Sequence, residues 1–256
     1  MLTASGVHVT VWGDGEPAVF VHGSFGWGEE TWREQRELAD YYKLLLLDRR
    51  GFGASRTDGR VDFERDADDV AALLGDGAHL VGHSYDGVVS LLAAARRPES
   101  VRSLVLIEPP AFGVARGDGA VEELIRNISA AGEATQDPAA YRAAFLRGFG
   151  FPGEATDLGG RALAAARSSM TERPPWEAEI PLDELQSSDL RVLLVQGDWC
   201  PAPDTARALA GAAFRAVCDV LDERLNATRT VLPAAHNPQK LGKVFNDRLR
   251  MFWEDE

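Results

Sequence analysis

Hydrophobic residues along the chain gather in short, mostly apolar runs at 18–21, 44–47, 78–81, 101–107 and 192–196. Such runs predict strands covered on both faces, as in the middle of a parallel sheet. The run 7–12 alternates instead, which predicts an outer strand turning at Gly13-Asp14-Gly15. Helical stretches separate the strands: 29–41, 62–74 with Asp62 as its N-cap, 88–97 and 205–225. A strand at 229–232 and a helix at 238–253 close the pattern. Strands alternating with helices imply right-handed crossovers, hence an α/β fold with a mostly parallel, doubly wound sheet.

The rhythm changes over residues 111–188. Helical stretches at 121–131, 139–148 and 161–171 follow one another with no strong strand between them. Phe151-Pro152-Gly153 and Arg173-Pro174-Pro175 break the series. This predicts a core of residues 1–110 and 189–256, with a helical lid, 111–188, inserted in it.

Composition narrows the class. With 256 residues, 45% of them hydrophobic, the chain can bury one sizeable α/β core. A net charge of −13 argues against nucleic acid or an anionic membrane as partner. The two cysteines, Cys200 and Cys218, make neither a disulfide framework nor a metal set. No stretch reads as a signal peptide or approaches the ~18 apolar residues of a membrane helix, so a cytoplasmic location is expected.

The chemistry gathers where strands are expected to end. Residues 80–86 read L-V-G-H-S-Y-D and run straight into a helix. A strand passing into a helix through a turn centred on Ser84 is a nucleophile elbow, and Gly82 supplies the small neighbour that the turn needs. Asp86 stands where the pattern G-x-S-x-G has its second glycine. It either points outward to backbone N–H groups at the helix start, where negative charge is favoured, or perturbs the site. A serine hydroxyl needs a base, the base needs an orienting acid, and the reaction needs donors aimed at the oxyanion. His236, on the loop between the last strand and the last helix, is the candidate base. His8 and His79 lie in or near strands and read as structural. His83 adjoins Ser84 and should point away from it.

Four signals thus follow strand ends: His22-Gly23, D-R-R-G-F-G-A-S at 48–55, G-H-S-Y at 82–85, and Ala235-His236. In order and spacing they resemble the α/β-hydrolase superfamily, over nearly the whole chain outside the insertion. The resemblance implies oxyanion donors at the backbone N–H of Tyr85 and of Ser24, with Phe25 as the alternative to Ser24. It implies a supporting role for His22, Gly51 and Gly53. The acid departs from the commonest pattern, because Gly197-Asp198-Trp199-Cys200 puts a cysteine where many relatives have aspartate. Two carboxylates remain: Glu108, at the end of the 101–107 strand, and Asp198. An acid after that strand resembles haloalkane dehalogenases and the fungal lactonase that opens zearalenone. In the lactonase a Glu is followed closely by Pro, as in Glu108-Pro109-Pro110, and a lid tryptophan in a Pro-flanked stretch resembles Trp176.

These residues predict a cofactor-free hydrolase of a small apolar ester or lactone, working through an acyl-enzyme on Ser84. Phe25, Trp27, Tyr85, Phe112 and Trp176 either line an apolar pocket or form ordinary lid core. Two other readings stay open: hydrolysis of a C–C bond in a β-diketone-like product, and a non-catalytic ligand-binding protein on the same fold.

Overall fold

The structure, a computed structural model, describes residues 1–3, 5–56, 59–154 and 156–255. Among these, seven strands form one sheet: β1 His8–Trp12, β2 Glu16–Val21, β3 Tyr42–Asp48, β4 Ala78–His83, β5 Val101–Ile107, β6 Val192–Gly197 and β7 Thr228–Leu232. Their order is β1-β3-β2-β4-β5-β6-β7. Only β1 runs antiparallel to its neighbour, pairing Val9 with Leu47; the other pairs are parallel. The alternating run is therefore an edge strand, and the run of leucines in β3 is internal.

Period-two alternation sends successive side chains to opposite faces, and each face has its own apolar cover. On one face Val19, Leu80, Leu104 and Leu194 meet helices α1 (Phe63–Leu73), α2 (Tyr85–Arg96) and, later in the chain, Ala212–Leu225. On the other, Phe20, Val81, Val105 and Val195 meet Trp32, Leu38, Phe245 and Leu249. Each large side chain buried in this way contributes roughly 1.5–3 kcal/mol. Asp62 caps α1 by accepting the Glu64 N–H, as the sequence predicts.

Three helices of the stretch between β5 and β6 are α3 (Gly119–Glu133), α4 (Pro138–Gly148) and α5 (Gly160–Ser169). The first two join the same apolar cluster as α1 and α2 through Val121, Leu124, Ile128 and Phe149, whereas α5 packs through Ala165 against Phe52 and Val61. The chain then continues through β6 into α6 (Ala212–Leu225) and, after β7, α7 (Lys243–Glu254).

Three helices differ from the sequence pattern. The stretch 29–41 is a short turn, Gly28–Thr31, followed by a 3₁₀ segment, Arg33–Asp40. Buried Trp32, Gln35 and Leu38 recur every three residues, the period of a 3₁₀ helix rather than an α-helix. A π-turn, Arg207–Gly211, precedes α6, where Gly211 lies against the Trp199 ring. The last helix is interrupted at Gly242, whose φ of 56° an α-helix does not allow.

Candidate active site

The elbow explains itself sterically. Ser84 has φ 55° and ψ −128°, a strained backbone that aims its side chain off the sheet. A Cβ on Gly82 would lie 2.3 Å from Ser90 Oγ, and one on Gly87 2.5 Å from Pro109 Cβ. The second close approach therefore falls at Gly87, one residue past the usual glycine, and position 86 is free to carry a side chain. Strain recurs at neighbouring strand ends, with positive φ at Phe25, Glu108 and Trp199. All four residues surround one spot at the C-terminal edge of the sheet.

His236 Nε2 lies 2.8 Å from Ser84 Oγ. On the other side of the ring, Nδ1 faces Glu108 Oε2 at 3.7 Å, and neither atom has another hydrogen-bond partner. Glu108 is fully buried; its Oε1 accepts the Gly197 N–H at 2.7 Å and the Trp199 Nε1–H at 3.4 Å. Burial pushes the Glu108 pKa up to about 8, against the pull of those two donors. Burial against the rings of Phe149, Trp199 and Phe214 holds His236 below its usual range. Burial disfavours charge on each group taken alone, whereas a Glu108 carboxylate and a His236 imidazolium would attract each other across the gap.

Asp198 is placed elsewhere. It is half-exposed, and its Oδ1 accepts the Cys200 N–H in a local turn. Cys200 itself is exposed. Histidines other than His236 are tied up: His22 accepts the Arg49 N–H, His83 Nε2 bonds the His236 carbonyl, His79 bonds Ser103, and His8 meets Asp48.

Gly23 brings the loop after β2 against the elbow; a Cβ there would sit 2.7 Å from Ser84 Cβ. The Phe25 N–H is already used, donating to Ser169 Oγ at 2.9 Å, which takes away the alternative oxyanion donor. The Tyr85 N–H, first in its helix, has no intrahelical acceptor. The Tyr85 hydroxyl donates to the Arg173 carbonyl.

Beneath this loop lies a buried charge cluster that the sequence did not disclose. Arg49, fully buried at the end of β3, donates to Asp66 Oδ2 at 3.1 Å, Glu172 Oε1 at 2.5 Å and the His22 carbonyl at 3.2 Å. Asp86 Oδ2 lies 2.6 Å from Arg49 Nε without a hydrogen bond of its own. The outward reading of Asp86 is thereby corrected: the side chain is 0% exposed and faces Arg49, because the helix turns it into the protein. Glu172 also accepts from Ser24 Oγ at 2.6 Å, tying the insertion to the loop after β2. Three carboxyls share one arginine, and burial raises the pKa of each, Asp66 to about 6.

Two chambers meet at Ser24 and Ser84. The smaller, about 320 Å³, is lined by Tyr85, Phe112, Ile128, Tyr141, Glu172 and Trp176. The larger, about 560 Å³, is lined by Phe25, Trp27, Arg142, Leu146, His236 and Lys240. Phe145 and Phe149 face both. The five aromatic candidates thus divide between two spaces, Tyr85, Phe112 and Trp176 in one, Phe25 and Trp27 in the other.

A serine, a histidine and a buried carboxyl in line on this sheet edge can carry out acyl transfer. The family model described as "Alpha/beta hydrolase family" matches residues 18–246, and the chain belongs to that family. It is 30% identical over 228 residues to the pimeloyl-[acyl-carrier protein] methyl ester esterase of Sodalis glossinidius, covering 86% of each chain. To the esterase of the same name from Aeromonas hydrophila it is 33% identical over 115 residues, 44% of this chain and 45% of that one. In that comparison the chain therefore spans under half of the relative. Among solved structures, "Est816 as an N-Acyl homoserine lactone degrading enzyme" superposes with a TM-score of 0.64 at 21% identity, covering 98% of this chain and 99% of that one. That likeness shows the fold. No helix among the described residues is long and apolar enough to cross a membrane.

Proposed function

We propose that the protein is a serine hydrolase of carboxylic esters or lactones, with Ser84 as nucleophile, His236 as base and Glu108 as acid. The 2.8 Å contact between His236 Nε2 and Ser84 Oγ on the strained elbow carries this reading. Glu108 holds the acid position after β5, as the zearalenone-opening lactonase does. Its unpartnered Oε2 faces Nδ1, and the 3.7 Å gap is of the kind that tightens when the imidazolium forms. The esterase name of the Sodalis relative supports an ester substrate.

In the first step Ser84 Oγ attacks the carbonyl carbon and its proton passes to His236 Nε2. The backbone N–H groups of Ser24 and Tyr85 receive the oxyanion, a contribution of roughly 3–4 kcal/mol per donor. Collapse of the adduct breaks the acyl C–O bond, and His236 returns the proton to the leaving oxygen. Water then repeats the sequence on the acyl-enzyme. Residues 111–188 act as the lid, and the aromatic lining of the smaller chamber favours a small apolar acyl group.

The test is Ser84→Ala, assayed on p-nitrophenyl acetate beside labelling of the wild type with a serine-directed phosphonate. Loss of nearly all turnover in Ser84→Ala, with phosphonate on Ser84 in the wild type, is expected. A residual rate about 10³ above water would remain from the oxyanion donors and binding. Full turnover in the variant, or a wild type that neither reacts nor hydrolyses, overturns the reading.

A further inference from the structure

We propose that the larger chamber receives the leaving group and that Arg142 binds an anionic substituent, a carboxylate or phosphate, carried by that group. The inference rests on the serine hydrolase reading and names its substrate class. His236 must hand its proton to the departing oxygen, so the leaving group lies on the side of His236. Of the two chambers that meet at Ser84, His236 lines only the larger. The acyl part then occupies the smaller chamber, between Tyr85, Phe112 and Trp176. Helix α4 stands between the two, with Tyr141 facing the acyl side and Arg142 and Leu146 the leaving-group side.

Arg142 is half-buried and makes no hydrogen bond, ion pair or ring contact with any described residue. Every other described arginine without such a partner is exposed. A partly desolvated guanidinium with nothing to pair with is costly, and a planar carboxylate or phosphate matches its fork of donors. The other charged residues lining this chamber are Glu30 and Lys240, which lie 4.0 Å from each other. Glu30 also meets Arg33 at 3.4 Å, and Lys240 is exposed, so Arg142 is the half-buried cation of this chamber without a partner among the described residues. On a chain of net charge −13 the surroundings repel anions, so a local cation that accepts one is selective rather than general.

The experiment compares kcat/KM for phenyl acetate and 4-carboxyphenyl acetate, which share an acyl group, in the wild type, Arg142→Met and Arg142→Lys. A third ester, phenyl hydrogen succinate, carries its carboxylate on the acyl side. The ratio of carboxyphenyl to phenyl ester should fall at least tenfold in Arg142→Met and less in Arg142→Lys, with melting temperatures confirming folded protein. The wild-type ratio should also shrink as NaCl is raised. The succinate ester should show no dependence on residue 142 relative to phenyl acetate. An unchanged ratio in Arg142→Met, with Ser84-dependent hydrolysis of phenyl acetate intact, overturns the Arg142 assignment and leaves the hydrolase reading standing. Equal losses for both carboxylated esters overturn the division of the chambers. Absence of Ser84-dependent hydrolysis in the wild type overturns both proposals.

Discussion

Two buried carboxyl sites flank Ser84, and they are built on opposite principles. On the side of the loop after β2, Asp66, Asp86 and Glu172 crowd one permanent cation, Arg49, and two of the three take hydrogen bonds from it. On the histidine side, Glu108 has no cation in contact, only the Gly197 and Trp199 donors and a neutral imidazole 3.7 Å away. A carboxyl beside a fixed charge is locked and serves to hold segments together. One beside a group that can acquire charge is poised to respond when a proton moves. Arg49 accordingly gathers the ends of β2 and β3, the elbow helix and the insertion, whereas Glu108 serves one ring atom.

The sharpest way to test this contrast is to neutralise each candidate acid. Glu108→Gln keeps shape and removes the charge that would stabilise the imidazolium; kcat on one ester should fall by about 10⁴, as when a triad carboxylate becomes an amide. Asp198→Asn should change kcat little, since its carboxylate is occupied with the Cys200 N–H. An inactive Asp198→Asn beside an active Glu108→Gln would transfer the acid role to Asp198. Two active variants would remove a carboxylate from the mechanism altogether.

A smaller but still large effect belongs to the other site. Arg49→Met leaves three buried carboxyls without their cation, which should cost about 3–5 kcal/mol of stability in a urea titration or prevent folding. Glu108→Gln, by contrast, removes a carboxyl that no cation supports and should leave the urea midpoint unchanged or raised. An Arg49→Met protein as stable as the wild type would show that the cluster is not held by charge.

Much of this arrangement was legible because it is local. Ser84, His236 and Glu108 each stand at a strand end marked by its own short motif, and strand ends of a parallel sheet share one edge. The cluster was not legible, because its members are brought together by folding rather than by spacing. Arg49 sits in a turn whose glycines suggested only support, and Glu172 lies 123 residues further on, in a stretch with no motif. The orientation of Asp86 depended on where the backbone crowds; the crowding at Gly87 and Pro109 is a tertiary fact. The same holds for the stretch between β5 and β6. Helical periodicity located α3 to α5, but Tyr141, Phe145 and Phe149 became chamber walls only through the packing of α4 over Ser84.

The gentlest probe leaves the sequence of the wild type alone and varies pH. Glu108 has a folded pKa of about 8, above its ordinary value, and Asp66, Asp86 and Glu172 are also raised. For a carboxyl with a raised folded pKa, the native state keeps a proton that the unfolded chain has lost. Stability therefore falls as pH rises from the ordinary carboxyl range to the folded pKa, by about 1.4 kcal/mol per pH unit for each such group. Buried His22, His79, His83 and His236 are shifted down and act in the opposite sense, but only below ~6.5, where the unfolded histidines titrate. Between about pH 6.5 and 8 these histidines no longer oppose the carboxyls, and Asp66 contributes little because it has mostly ionised near 6. The melting temperature of the wild type should decline across that window. In Glu108→Gln, which cannot ionise there, the decline should be shallower by the share that belongs to Glu108. An identical slope in the two proteins would mean that Glu108 is already ionised at pH 6.5. Glu108 would then stand as a carboxylate beside a neutral imidazole across the whole window, with the Gly197 and Trp199 donors outweighing burial.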